Sequence, residues 1–192
     1  MSPISLLPVG LVEEDILGSL ENGIGRAFGR EILRLRVAPD PVFAFDARRG
    51  QYSSTLILNE IIAESPGGGG MLLAVTGVDL FIPMLSFVFG QAQVGGMAAL
   101  MSVARLRQEF YGLPPDDSLL RKRALKECVH ELGHAFGLVH CADVGCPMSL
   151  SHGIHQVDLK NTEFCESCVV RLAELMNTGT NATLTSRRSL AG

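Results

Sequence analysis

The sequence predicts an α/β (α+β) fold, with a mixed twisted sheet, one long helix, and a smaller C-terminal part. Three observations carry this. Short apolar runs alternate with helical periods from Ile4 to Ala104. A helix start stands at Pro114-Pro115-Asp116-Asp117, and after Gly137 regular period is lost until about Cys165. A length of 192 residues suits one compact domain with a sizeable core. Apolar residues at 47% against 19% charged exclude disorder for most of the chain.

The elements follow in order. Ile4 to Val9 reads as a buried strand. The helix after it, Leu11 to Phe28, repeats Ile16, Leu20, Ile24 and Phe28 at every fourth residue. Glu31 to Val37 alternates Ile32, Leu33, Leu35 and Val37 with charges, a second strand with one wet face. Gln51 to Ala63 reads as a helix burying Leu56, Leu58, Ile61 and Ile62, and Gly67 to Gly70 then interrupt the pattern. Met71 to Val75 is a third strand. Leu85 to Gly90 and Ala98 to Ala104 supply one or two more. The long helix runs from Pro114 to about Phe136, with acids at the positive end of its dipole, and Gly137 stops it. A short helix spans about Cys165 to Met176, and Thr178 to Gly192 is a polar tail expected to be disordered.

Charge excludes several roles. Sixteen basic against 20 acidic side chains, with no long basic run, argue against a nucleic-acid surface. The uncharged stretch between Asp79 and Arg105 is long enough to span a bilayer, but Pro83, Gly90, Gln91, Gln93, Gly95 and Gly96 break it. No membrane partner is expected. The N-terminus, Met1 to Leu7, lacks a positive region and a small-residue cleavage pattern, so a cytoplasmic chain is expected, as a monomer.

The chemistry lies in the second half. His130-Glu131-Leu132-Gly133-His134 stands on the long helix, where the two histidines fall within about 40° of one another. Leu125, Val129, Leu132 and Phe136 fall about 150° away, so core face and histidine face separate. Two imidazoles one turn apart both reach a Zn²⁺ at about 2.0–2.1 Å. Glu131 is turned aside, where it holds a water at the metal without ligating. Gly137 follows His134 by three residues and His140 follows Gly137 by three. Gly takes the left-handed conformation that turns the chain back, and His140 becomes the third ligand of an open, catalytic zinc site.

All five cysteines lie between Cys128 and Cys168. A disulfide framework normally staples more of a chain, so metal ligation is the favoured reading. Cys141, Cys146, Cys165 and Cys168 close a tetrahedral structural site; four buried thiols or two disulfides stand beside that reading. Zinc is favoured over iron because no redox partner is evident. Cys128 is left over and reads as a small hydrophobe of the helix. Four thiolates and two Zn²⁺ leave the net charge near −4.

The run His130-Glu131-Leu132-Gly133-His134-Ala135-Phe136-Gly137-Leu138-Val139-His140-Cys141 resembles the metzincin clan of zinc peptidases. Its continuation through Cys146-Pro147-Met148 to Cys165-Glu166-Ser167-Cys168 is similar to one branch, the archaemetzincins. Met148 stands where that clan has its Met-turn, a methionine beneath the catalytic zinc. Phe87 to Gly90 and Ser102 to Leu106 resemble the family more weakly.

The resemblance implies a metzincin-like zincin fold with a catalytic zinc on His130, His134 and His140, Glu131 as general base, and a structural zinc on the four cysteines. It implies a single catalytic domain over residues 1–177, split by a cleft into an upper lobe, 1–137, and a zinc-stapled lower lobe, 138–177. Substrate would add as a strand along the sheet's edge, which chain order puts in Gly95 to Ala104. The activity implied is zinc-dependent hydrolysis of peptide bonds, with a peptide or protein as substrate. A peptide-binding module with little turnover and a small-amide hydrolase are its rivals. The only tyrosines, Tyr52 and Tyr111, precede the helix, whereas some metzincins have one after the Met-turn. More of the oxyanion stabilisation then falls to zinc, with His152 and His155 nearby, and Ser149 to Phe164 is expected to wall the specificity pocket.

Overall fold

Two mainly apolar runs, Met71–Thr76 and Ala98–Ser102, are buried along their whole length, which strands covered on both faces allow. The computed structural model describes residues 2–64 and 70–188, with side chains to residue 177. Most of the Gly67 to Gly70 interruption and residues 189–192 of the expected tail lie outside the described residues.

In chain order the elements are β1 (Ile4–Val9), α1 (Glu14–Phe28), β2 (Ile32–Arg34), β3 (Phe45–Asp46), β4 (Gln51–Ser53), α2 (Ser54–Glu64), β5 (Met71–Thr76), β6 (Leu80–Phe81), β7 (Gly90–Ala92), β8 (Ala98–Ser102), α3 (Asp117–Ala135), α4 (Ile154–Leu159) and α5 (Glu166–Arg188). The main sheet has the order β2-β1-β5-β8-β7; the first four strands are parallel and β7 runs antiparallel on the edge. A second sheet, β3-β4-β6, stands beside it in the fold.

Side chains alternate across the pleat and so divide the core in two. Ile4, Leu6, Leu73, Val75, Ala99 and Met101 pack with α1 and α3, while Leu72, Ala74, Ala98 and Leu100 pack with α2. The chain leaves β1 through α1 to reach β2, then returns past β1 through α2 to reach β5. Crossovers of one hand that step in opposite directions place their helices on opposite faces. The result is three layers, with the mixed α/β sheet in the middle.

Several elements depart from their expected bounds. β2 covers only Ile32–Arg34 of the expected Glu31 to Val37. Pro8 of β1 has no N–H to offer on that side, so contact continues irregularly, with Leu35 N donating to Leu6 O and Ala38 N to Pro8 O, both at 2.8 Å. Gln51-Tyr52-Ser53 pairs as a strand, and α2 begins only at Ser54. Tyr52 N donates to Asp79 O at 2.8 Å, a tertiary bond that overrides the helical period. The buried phase of α2 is Ile57, Leu58 and Ile61; Leu56, expected inside, is 50% exposed. The Leu85 to Gly90 segment is mostly loop, bridged at Val88 to Leu80, with Phe89 O accepting from Ser102 N and β7 beginning at Gly90. α5 is described to Arg188, past the Met176 at which the period ends.

The part that follows α3 is fastened to the rest by aromatic and charged contacts. Phe28 of α1 stacks on Phe136 at 5.2 Å and meets Phe164 edge-on at 5.7 Å. Arg123 forks onto Asp158 with two bonds of 2.7 Å, and Lys126 Nζ donates to the Val157 and Asp158 carbonyls. Among the described residues no helix is long and apolar enough to cross a membrane.

Leu73 is fully buried in the central strand, so Leu73→Ala is expected to cost about 2–5 kcal/mol in urea denaturation. Leu56→Ala, on the exposed side of α2, should stay within about 0.5 kcal/mol.

Candidate active site and metal centre

α3 is set by its ends. Asp116 caps it, its carboxylate accepting from Leu119 N at 2.8 Å. At the other end Gly137 takes φ +103°, and Gly137 N and Leu138 N donate to His134 O and Gly133 O, the bonding of a Schellman stop. A side chain with a Cβ rarely adopts that backbone, and the reversal it allows brings His140 back over the helix.

On α3, Glu127, His130, Glu131 and His134 occupy one stripe about 100° wide. His130 and Glu131 are buried, His134 is half-buried and His140 is exposed. His130 Nδ1 donates to Pro147 O at 2.7 Å, and His134 Nδ1 to Leu138 O at 2.8 Å. A carbonyl only accepts, so both protons sit on Nδ1 and both Nε2 atoms carry a free lone pair. Those two Nε2 atoms lie 3.2 Å apart. Two lone pairs facing each other repel unless a cation lies between them. Nitrogens bound at about 2.05 Å to one tetrahedral zinc would stand about 3.3 Å apart, which the geometry matches. The His140 ring packs 4.8 Å from His134 and 5.4 Å from His130, and one nitrogen from each of the three falls within 4.8 Å of the others. Burial lowers the pKa of all three, most at His130, and so keeps them neutral and ready to ligate.

The four cysteines converge next to this cluster. Cys141, Cys146, Cys165 and Cys168 bring their sulfurs within 4.8 Å of one another, and all are free thiols rather than disulfides. Cys141 Sγ lies 3.7 Å from Cys165 Sγ, close to the roughly 3.8 Å between two thiolates on one tetrahedral zinc. Cys165 Sγ lies 3.2 Å from the Ser167 hydroxyl, and bonding from Ser167 first and the Cys168 backbone second lowers its pKa to about 6. Burial raises the Cys146 and Cys168 thiols. Cys128 is fully enclosed in the apolar core, far from ionisation.

Met148 is wholly buried against the turn of α3 between the two histidines, its sulfur at the place where a methyl on Gly133 would stand. Cys141 N donates to Met148 O at 2.9 Å. One short segment therefore carries a histidine, two cysteines and this methionine into register.

A cleft of about 520 Å³ opens over the three histidines. One wall is Leu85 to Ala92, and the other is Leu150 to His152, so only part of the expected Ser149 to Phe164 lines it. His152 reaches the cleft; His155 is exposed outside it. The edge strand beside the cleft is β7, Gly90–Ala92, and not the expected Gly95 to Ala104. β8 is paired on both sides and buried throughout, whereas β7 is half-buried with one partner among the described residues. An apolar run marks an interior strand, and chain order alone does not show which neighbour closes it.

Glu131 packs against this strand. A Cβ on Gly90 would stand 2.6 Å from Glu131 Cγ and Oε1, and 2.6 Å from Leu100 O. Burial first, and Glu127 second, hold the Glu131 carboxyl well above the usual range, with Lys160 opposing. A divalent cation on the imidazoles would add to the lowering side of that balance.

Two charged residues of the site escaped the sequence reading. Glu127 lines the cleft one turn before Glu131, and Lys160, just after α4, meets it Nζ to Oε1 at 3.0 Å. Both are almost wholly buried. Glu127 was legible as the i−4 partner of Glu131 on the same stripe. Lys160 was not, since 33 residues separate it from Glu127.

Residues 68–174 match the sequence profile of Peptidase family M54. The chain is 44% identical to the archaemetzincin of Methanocaldococcus jannaschii over 89% of its own length and 93% of that protein's. It is 38% identical to the archaemetzincin of Pyrococcus furiosus, over 92% of this chain and 95% of the relative. Its fold is similar to the crystal structure of archaemetzincin from Methanopyrus kandleri, with a TM-score of 0.81 and 34% identity over 92% and 96% of the two chains. The Archaeoglobus fulgidus structure, a complex with malonate, gives a TM-score of 0.77 at 34% identity over 88% and 98%.

The contact between Gly133 and Met148 has a direct test. Gly133→Ala drives a methyl into the buried methionine and is expected to lose about 1–3 kcal/mol in urea denaturation. Gly18→Ala, where a Cβ meets nothing within 4 Å on α1, should gain about 0.5–1 kcal/mol.

Proposed function

The chain belongs to the archaemetzincins, peptidase family M54, and on that premise we propose a zinc-dependent metallopeptidase with Glu131 as its general base. The observation that carries the reading is the convergence of three neutral imidazoles and one carboxylate in a cleft bordered by a free strand edge. His130, His134 and His140 would hold the catalytic ion, and Cys141, Cys146, Cys165 and Cys168 a second, structural one. Zinc supplies Lewis acidity when bound, polarising a carbonyl and bringing the pKa of water toward about 7.

The chain's own residues do the rest. The unpaired edge of β7 aligns an extended peptide across the histidines by main-chain hydrogen bonds. Glu131 takes the proton of the attacking water and later passes it to the departing amine. Gly90 leaves room for the Glu131 side chain under the strand that carries the substrate. The Pro147 and Leu138 carbonyls keep each imidazole in the ligating tautomer. Met148 supports the floor of the site as the Met-turn methionine of the metzincin clan. A continuous strand edge beside the site favours peptides over small amides as substrates.

Glu131→Gln should retain both ions and lose hydrolysis of a mixed peptide library by about 10²–10⁴-fold, read by mass spectrometry beside metal analysis. Two ions with undiminished cleavage would remove the general-base role. His140→Ala should retain one zinc of two. Cys165→Ser should lose the structural ion that His140→Ala keeps, and lower the melting temperature, because ligation there replaces an apolar core. Gly90→Ala should keep both ions while kcat falls, its methyl crowding both Glu131 and the Leu100 carbonyl of β8.

A further inference from the structure

The ion pair between Glu127 and Lys160 is placed where stability alone does not account for it. Both side chains are 3% exposed or less, and a buried pair of charges is commonly no more stable than two well-packed apolar residues. Its position is specific. Lys160 Nζ bonds only Oε1, at 3.0 Å, and sits behind the cleft. Glu127 lines the cleft itself, and among the described residues the hydrogen bond of its carboxylate is the one that Oε1 accepts from Lys160, which leaves Oε2 to the cleft. On the facing wall the Ser151 hydroxyl is buried, also without a partner. A charged acceptor one helical turn from the candidate base and an unsatisfied hydroxyl on the facing wall thus border the same cavity.

Resting on the peptidase reading, we infer that Glu127, held by Lys160, forms a specificity subsite that takes a neutral, hydrogen-bond-donating side chain next to the scissile bond. The chemistry selects amides and hydroxyls for three reasons. A donor satisfies Oε2, and an apolar side chain leaves that oxygen desolvated and unpaired. A carboxylate side chain brings acceptors and no donor, so it too leaves Oε2 unpaired. A lysine or arginine side chain gains little, because Lys160 already neutralises Glu127 and a divalent ion on the histidines repels a further cation.

The test is calorimetric binding of peptide hydroxamates to the zinc-loaded chain, the series differing only in the side chain that flanks the chelating group. Asparagine, glutamine or serine should bind about tenfold or more tighter than leucine, aspartate or lysine, as one hydrogen bond to a charged acceptor supplies. Lys160→Met should transfer the preference to lysine. Glu127→Leu combined with Lys160→Met should transfer it to leucine. The wild-type series decides the class even where a variant folds poorly. A leucine preference in the wild type, an order unchanged in both variants, or no hydroxamate binding at all would overturn the subsite. Selective binding without peptide cleavage would instead sink the peptidase reading and leave the subsite standing.

Discussion

The site rests on one electrostatic constraint, the approach of two imidazole lone pairs at 3.2 Å on α3. Without a cation that approach is repulsive, and it persists because each ring is held from behind by a backbone carbonyl. Pro147 O and Leu138 O both belong to the chain after Gly137, so the reversal at that glycine orients the helix's own histidines as well as delivering His140. The segment from Leu138 to Met148 is therefore a scaffold for α3 as much as the source of His140, Cys141 and Cys146 in the two clusters. Its own anchor is the cysteine cluster, which closes with Cys165 and Cys168 at the start of α5.

The sheet supplies the other half of the cleft. β8 is a core strand, but the antiparallel β7 added to it is short, half-buried and open on its far side. Gly90 allows that strand to approach α3 until backbone and Glu131 touch, so the Glu131 carboxylate and the open strand edge share one atomic contact. The two walls face each other across the histidines, while Arg123, Lys126 and Lys160 fasten the lower wall to α3 from behind. The charges there either bond carbonyls and Asp158 or, in the case of Lys160, neutralise Glu127. A buried cation beside three imidazoles also opposes their protonation, which favours ligation.

Local order made much of this legible in the sequence. The spacing of His130, His134, Gly137 and His140 is a statement about helical pitch followed by one reversal. Pitch and the conformational freedom of glycine are properties of the chain itself, and the expected ligand set comes together in space. The paired cysteines behave likewise, since Cys141 is covalently next to His140. α1 held its predicted face because its fourfold repeat is long, whereas α2 lost Leu56 to solvent because Tyr52 is drawn into pairing with β4's neighbours.

By itself the sequence determined the α/β class, the long helix, the stop at Gly137 and the histidine and cysteine clusters, each encoded by short-range period or spacing. Only the tertiary structure decided that β7 rather than β8 borders the cleft, that Gly90 seats Glu131, and that Lys160 neutralises Glu127. The physical reason is one of range. A strand's partner and a buried charge's counterion are chosen by packing between residues distant in the chain, and an apolar run or a lone lysine reads the same whichever neighbour it finds.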